Sequence, residues 1–217
     1  GHMSILAGLA FKVHNNRPEK GRVIFLFQHS EEEKQGAKDV VNSKEFKEIE
    51  PDYIFALHNL PGFEKNKIVL RKGIFAGTSK GMTIKLFGKT SHAGEPENGI
   101  NPAVAISEIT LNLNQLLKEK EFFDDFVLLT FIYFRMGEIA FGTSAGYGEI
   151  GITLRAYKDS DMEILCDRVE NIIQVISQKE NLKYEISYDE VFPATVNSDE
   201  CIDMIEESAI ELSYDYE

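Results

Sequence analysis

The feature that most constrains the fold is a change of hydrophobic pattern near residue 77. Before it, two continuous apolar runs, VIFLF at residues 23–27 and YIFAL at residues 53–57, alternate with helical segments. Such runs are typical of strands buried on both faces of a parallel sheet. After it, strands alternate apolar and polar residues, and helices repeat apolar residues every three or four positions. The sequence therefore predicts two architectures in one chain.

The second pattern predicts a β-α-β-β-α-β unit. Its four strands are expected at residues 82–86, 127–134, 150–154 and 184–188. The first helix has an N-terminal signal in Asn101 and Pro102, and the second has a predicted capping box formed by Ser160 and Glu163. This order of elements is that of a ferredoxin-like split unit.

The fold class predicted for the whole chain is α/β, with the ferredoxin-like unit inserted into a partial parallel α/β domain. The last helix, at residues 198–212, has no sheet of its own to cover and is expected to return to the first domain. The predicted division is residues 1–76, 77–190 and 191–217. Residues 1–3 (GHM) resemble the remnant of a cleaved affinity tag, so the prediction leaves His2 out of any metal site.

Composition excludes several classes of function. A formal net charge of −13 disfavours nucleic acid as a partner, because phosphate binding needs clustered Lys and Arg. No apolar stretch is long enough for a membrane span and no secretion signal is evident, so a cytoplasmic protein is expected. Cys166 and Cys201 lie in helical segments without paired spacing, which predicts reduced thiols.

Chemically active side chains follow both predicted buried strands. FQHSEEE at residues 27–33 places three carboxylates after the first, and LHNLPG at residues 57–62 places His58 after the second. Open α/β sheets bind ligands beyond the carboxyl ends of their strands, and metals such as zinc accept imidazole and carboxylate ligands. Taken separately, the carboxylates also fit a helix N-terminus and His58 also fits a hydrogen-bonded rim residue. Together they predict a metal site.

Several segments resemble one family over nearly the whole chain. FQHSEEEKQGA, ALHNLPG, GKTSHAGEPENGINPAVA, ITLRAYKD and FPATVN are similar to blocks of the amidohydrolase branch of the zinc aminoacylase–carboxypeptidase family. That branch includes aminoacylases and hippurate hydrolases. The resemblance implies a catalytic domain at residues 1–76, a lid and dimerisation domain at residues 77–190, and a return to the catalytic domain at residues 191–217.

The resemblance also implies roles for five residues. Glu31 matches the general base that deprotonates the attacking water, and Glu32 and His58 match metal ligands. Glu33 leaves a one-residue ambiguity in register, which the distance from Phe27 and Gln28 resolves in favour of Glu31 and Glu32. His92 matches the lid histidine that stabilises the oxyanion in the partner subunit's active site. Arg155 matches a lid arginine that binds a substrate carboxylate, although an exposed strand arginine fits the pattern equally.

The resemblance implies hydrolysis of N-acyl amino acids or small peptides, with two divalent ions (zinc, manganese, cobalt or nickel) and a homodimer formed through the lid. Departures from the family pattern are expected to matter. The chain begins after the point where a His-Asp-Gly-His motif is expected, and FGTSAG at residues 141–146 replaces an Asn-x-Ile-Pro turn. We therefore expect an inactive fragment with no metal or a partial site. The alternatives are a non-catalytic lid module or a pseudo-enzyme.

Overall fold

The computed structural model describes residues 1–30 and 36–217 and divides them into two compact units. Unit 1 comprises Gly1–Leu70 and Asp199–Glu217, and unit 2 comprises Arg71–Ser198. Unit 2 is therefore inserted in sequence between the two segments of unit 1. No helix in these described ranges is long and apolar enough to span a membrane.

The secondary-structure elements of unit 1, in the parts that the structure describes, are helices joined by long irregular segments. Its helices are α1 (His2–Asn15), α2 (Gly36–Asn42), α3 (Lys44–Ile49) and α6 (Asp199–Glu211). The Tyr53 hydroxyl donates to Glu200 Oε1 at 2.8 Å, and Ile68 forms a parallel bridge with Tyr216. The C-terminal segment thus packs on the N-terminal one, with Ile202 buried on α6.

The two strands predicted in unit 1 are wrong. Residues 23–27 and 53–57 belong to neither helix nor strand, and the side chains of Phe27 and Ile54 are 50% and 64% exposed. A continuous apolar run identifies a segment that is suited to burial, but a strand also needs neighbouring strands to bond its backbone. Neither segment has such a neighbour among the described residues.

Unit 2 contains the main sheet and both large buried helices. Its strands are β1 (Gly73–Ala76), β2 (Thr78–Phe87), β3 (Ser91–His92), β4 (Val127–Met136), β5 (Thr143–Ser144), β6 (Tyr147–Ala156), β7 (Lys183–Phe192) and β8 (Thr195–Asn197). Its helices are α4 (Ala103–Leu116) and α5 (Asp159–Lys179). The four long strands form an antiparallel sheet in the order β4-β6-β2-β7, so β4 and β7 are its edges.

The core of unit 2 lies between one face of this sheet and the two helices. Alternation in β2 points Met82, Ile84 and Leu86 to this face, each at most 2% exposed. Helix α4 contributes buried residues at helical spacing, including Ile109 and Leu113, both 0% exposed. The predicted β2, α4, β4, β6, α5 and β7 are all confirmed as elements.

One predicted helix signal is confirmed and another is wrong. Asn101 Oδ1 accepts the backbone N–H of Ala103 at 2.9 Å, which satisfies a free donor at the start of α4. No capping box forms at Ser160 and Glu163, because α5 already begins at Asp159. The acidic side chain buried at this end is Asp161, which accepts the backbone N–H groups of residues 124 and 125.

Short ladders complete unit 2. Strand β1 pairs with β8, so the chain enters and leaves the unit side by side. Strand β3 pairs with β5, with Ser91 opposite Ser144 and His92 opposite Thr143. This second ladder positions the loop that contains His92.

Candidate functional site

The five predicted site residues are distributed over both units. Glu31 and Glu32 lie outside the described residues. His58 belongs to unit 1, whereas His92 and Arg155 belong to unit 2. All three described side chains belong to exposed residues, as expected for groups that meet a substrate or a metal.

His58 is held in one tautomer by its neighbour. Its Nδ1 lies 3.0 Å from the backbone carbonyl oxygen of Asn59. A carbonyl can only accept a hydrogen bond, so Nδ1 must hold the proton and donate it. The neutral ring then keeps a free lone pair on Nε2. This is the arrangement in which a histidine binds a metal through Nε2 while its other nitrogen is fixed by a backbone carbonyl.

A second imidazole lies beside His58. The ring centroids of His2 and His58 are 5.6 Å apart, with their planes inclined by 52°. Because residues 1–3 resemble a tag remnant, this contact adds no ligand to the predicted pair of Glu32 and His58.

No group of three or more potential metal ligands occurs in the ranges 1–30 and 36–217. Glu31, Glu32 and Glu33, which include the predicted carboxylate ligand, lie outside these ranges. Of the two predicted metal ligands, the structure therefore describes His58.

The loop after β3 fixes both the backbone and the ring of His92. The backbone is held by the β3–β5 ladder, by Ala93 N–H donating to the Gly142 carbonyl at 3.0 Å, and by Glu95 N–H donating to the His92 carbonyl at 3.0 Å. The ring accepts the backbone N–H of Gly94 at Nδ1, at 3.1 Å. Because Nδ1 accepts, the neutral ring must hold its proton on Nε2.

The two histidines are thus fixed in opposite tautomers. His58 keeps an Nε2 lone pair, which suits a metal ligand, and His92 keeps an Nε2–H, which suits a hydrogen-bond donor to a developing negative charge. The local backbone sets this difference in each case. A sequence pattern that identifies only histidines contains no signal for it.

Arg155 lies on the face of the main sheet that the helices leave open. Its neighbours Leu154 and Ala156 are 0% and 3% exposed, so strand alternation turns Arg155 to the opposite face. It stands between Ser79 of β2 and Leu128 of β4 in the ladder. Within the part of the chain that the structure describes, no hydrogen bond or ion pair holds its guanidinium.

The same open face contains a hydrogen-bonded carboxylate. Glu149 accepts the hydroxyls of Tyr133 at 2.5 Å and of Tyr147 at 2.7 Å. These hydrogen bonds, with smaller contributions from Arg135 and Lys85, lower the pKa of Glu149. The hydrogen bond to Glu149 is also the main cause that raises the pKa of Tyr147 to about 12. This group is internally satisfied and is a structural feature of the face.

The FGTSAG segment, in which the family's Asn-x-Ile-Pro turn is absent, lies beside His92. Ser144 accepts a hydrogen bond from the Asn101 side chain at 3.0 Å, so an asparagine from the start of α4 reaches this segment. In the turn just before β5, Ile139 and Phe141 are 100% and 99% exposed. The loop cluster therefore contains one fixed imidazole, one amide and two exposed apolar side chains.

Known proteins are similar to this chain over nine tenths of its length or more. The profile of peptidase family M20/M25/M40 matches residues 1–217. The chain is 27% identical over 212 residues to the hippurate hydrolase of Campylobacter jejuni subsp. jejuni, which covers 98% of this chain and 55% of that protein. It is 29% identical over 203 residues to the N-acetyldiaminopimelate deacetylase of Bacillus subtilis, which covers 91% of this chain and 52% of that one. The chain thus spans about half the length of these relatives.

A solved structure has a similar fold. The crystal structure of a dinuclear metal-binding peptidase of the M20 family from Bacillus subtilis superimposes with a TM-score of 0.77 at 20% sequence identity. The superposition covers 100% of this chain and 54% of that one. Of the predicted α/β architecture, this similarity and the helices and sheets described above show a mixed α/β fold.

Proposed function

This chain belongs to peptidase family M20/M25/M40, and on that premise we propose that the whole protein hydrolyses the amide bond of N-acyl amino acids or small peptides with the help of divalent metal. The relatives named hippurate hydrolase and N-acetyldiaminopimelate deacetylase support an acylated amino acid as the substrate class. The observation that supports the proposal most directly is that His58 and His92 are fixed as opposite tautomers.

We assign Glu32 and His58 to metal binding. Imidazole nitrogen and carboxylate oxygen suit zinc, manganese, cobalt or nickel, and the free Nε2 lone pair of His58 fits such an ion. The solved relative described as dinuclear supports two ions in the whole protein. Bound metal would act as a Lewis acid that polarises the scissile carbonyl.

The carboxylate of Glu31 acts as the general base in this proposal. It removes a proton from the water that attacks the carbonyl carbon, and it later returns that proton to the nitrogen of the leaving amine. Glu31 and Glu32 are adjacent in sequence, so one can bind metal while the other faces the water. This assignment rests on the FQHSEEE motif.

His92 and Arg155 are proposed to bind the substrate. The Nε2–H of His92 donates to the oxygen that becomes negative when water adds to the carbonyl. As the family resemblance implies, this contact is made in the active site of the partner subunit. The guanidinium of Arg155 binds the carboxylate of the amino-acid portion, for which its planar pair of donors is suited.

Unit 2 is proposed to be the ferredoxin-like lid and dimerisation domain, and its edge strands favour one interface. Strand β7 has the charged residues Lys183, Glu185 and Asp189 along its exposed positions, and charges protect an edge against pairing. Strand β4 exposes Ile132 and Phe134 at 60% and 48%. We therefore assign β4 to a two-fold contact between lids.

The alternative is that this chain functions only as a lid and dimerisation module, or belongs to a pseudo-enzyme. The intact core of unit 2 favours a module that folds by itself. We propose that the 217-residue chain alone is inactive, because a co-catalytic site needs more ligands than Glu32 and His58. Chelator-sensitive hydrolysis of an N-acetyl amino acid by the purified chain would contradict this.

The activity is tested with His92→Ala in the full-length protein. Because donation to the oxyanion occurs only in the transition state, the variant should lower kcat on the order of a hundredfold with unchanged metal content. His14→Ala is the matched control, since His14 is also an exposed histidine but lies outside the proposed site. A near-normal kcat, or loss of metal from the His92 variant, would show that the assigned role is wrong.

A further inference from the structure

Three consecutive backbone N–H groups follow His92, and only one of them reaches its ring. Ala93 N–H donates to the Gly142 carbonyl and Glu95 N–H donates to the His92 carbonyl. Gly94 N–H donates to His92 Nδ1 at 3.1 Å. The first two bonds fix the backbone of the loop, and the third fixes the ring.

The approach of Gly94 to the ring depends on its missing side chain. A Cβ atom built on Gly94 would lie 3.2 Å from His92 Nδ1 and 3.4 Å from Cε1. Contacts this close require the ring to shift by a few tenths of an ångström. Such a shift lengthens and bends the N–H···N bond, and hydrogen bonds weaken steeply as their geometry deteriorates.

The remaining ring nitrogen faces no competing partner. Nε2 of His92 makes no hydrogen bond within the described ranges, and the residue is exposed. Because Nδ1 accepts the Gly94 N–H, the proton of the neutral ring lies on Nε2. This Nε2–H group is free to donate. The β3–β5 ladder holds the backbone independently, so the Gly94 bond mainly controls the rotation and tautomer of the ring.

We infer that Gly94 is a positioning residue, whose backbone N–H fixes His92 as the Nε2–H tautomer and whose lack of a side chain permits that contact. The benefit to catalysis rests on the proposed function, whereas the positioning itself does not. Gly94 touches neither substrate nor metal in this scheme and acts only through His92.

The first test uses the unmodified 217-residue chain labelled with ¹⁵N. At a pH where imidazole is neutral, long-range ¹H–¹⁵N spectra should show His92 with its proton on Nε2. A scalar coupling across the hydrogen bond should connect Gly94 N to His92 Nδ1. A ring that averages between tautomers, or a proton on Nδ1, would overturn the inference without any variant.

The second test compares Gly94→Ala with Gly142→Ala. The ratio of the Nε2–H to the Nδ1–H tautomer should fall by about fivefold in Gly94→Ala, the effect expected from losing one ordinary hydrogen bond. Gly142→Ala adds the same methyl group to the same loop cluster, where nothing lies within 4 Å of the new Cβ, and should leave the ratio unchanged. Equal ratios in both variants and the parent would also overturn the inference.

Activity measurements separate this inference from the proposed function. In the full-length protein, Gly94→Ala should lower kcat by about fivefold with little change in KM, in proportion to the lost tautomer. In a His92→Gln background the same substitution should have no further effect, because the coupled pair has already been broken. If the spectra change as expected while kcat does not, the role of His92 is wrong and the positioning by Gly94 stands.

Discussion

The imidazole rings of His2 and His58 lie 5.6 Å apart by their centroids, with their planes inclined by 52°. His58 comes from the LHNLPG segment and His2 from the start of α1, so the contact joins positions 56 residues apart (58 − 2). Unit 1 therefore brings the start of α1 and this segment together.

Removing His58 is expected to weaken divalent metal binding. His58→Ala should lower the affinity of the chain for Zn²⁺ by about tenfold or more, since it removes one of few ligands. Competition with a chromophoric chelator measures this. His14→Ala, an exposed histidine on α1, should leave the affinity unchanged. An unaltered affinity in His58→Ala would remove His58 from the site.

Self-association is expected to depend on β4. Ile132→Lys places a charge at an exposed apolar position of this edge and should convert a dimer into a monomer. Analytical ultracentrifugation of the parent and the variant measures the change. Ser187→Lys introduces the same charge at an exposed position of β7 and should preserve the dimer. A parent chain that remains monomeric at high concentration contradicts the proposed interface.

Stability of unit 2 is expected to depend on the face of β2 that packs against the helices. Ile84→Ala should lower the free energy of unfolding by about 2–5 kcal/mol, because Ile84 is fully buried and a cavity would remain. Leu111→Ala on α4, where the side chain is 69% exposed, should change it by less than about 0.5 kcal/mol. Urea titration followed by circular dichroism compares the two, and equal effects would contradict the assigned core.

Glu149 is expected to control the ionisation of Tyr147. The hydrogen bond between them raises the pKa of Tyr147 to about 12, so Glu149→Gln should return it towards 10. The difference in tyrosinate absorbance between parent and variant at alkaline pH measures the shift. Glu185→Gln should lower the pKa of Tyr147 by much less, because Glu185 acts only through a weak charge repulsion and not through a hydrogen bond.

The pH dependence of stability follows from the same hydrogen bonds. The folded-state pKa of Glu149 lies below its unfolded value, so its contribution is present above that unfolded value and is lost as pH falls through the folded pKa. The raised pKa of Tyr147 affects stability at the alkaline end. Its contribution to stability is present at lower pH and is lost as pH rises through about 12. The parent should therefore exceed Glu149→Gln in stability near neutrality and lose that advantage in acid.

The sequence by itself determined most of unit 2. Period-two alternation in β2 and helical spacing in α4 and α5 identify elements that bury one face, and the structure contains them. The same argument failed at residues 23–27 and 53–57, because an apolar run does not supply the neighbouring strand that a parallel sheet requires. The capping box predicted at Ser160 also failed, because α5 begins one residue earlier, at Asp159.

Only the tertiary structure decided the tautomers of the two candidate histidines. The sequence identified His58 and His92 as candidates, but the Asn59 carbonyl and the Gly94 N–H determine which nitrogen of each ring holds the proton. Likewise, only the ladder order assigns β4 and β7 to the edges of the sheet. Hydrophobic periodicity records which face of an element is buried, whereas tautomers, edges and the approach of His2 to His58 depend on distances between groups that the folded backbone brings together.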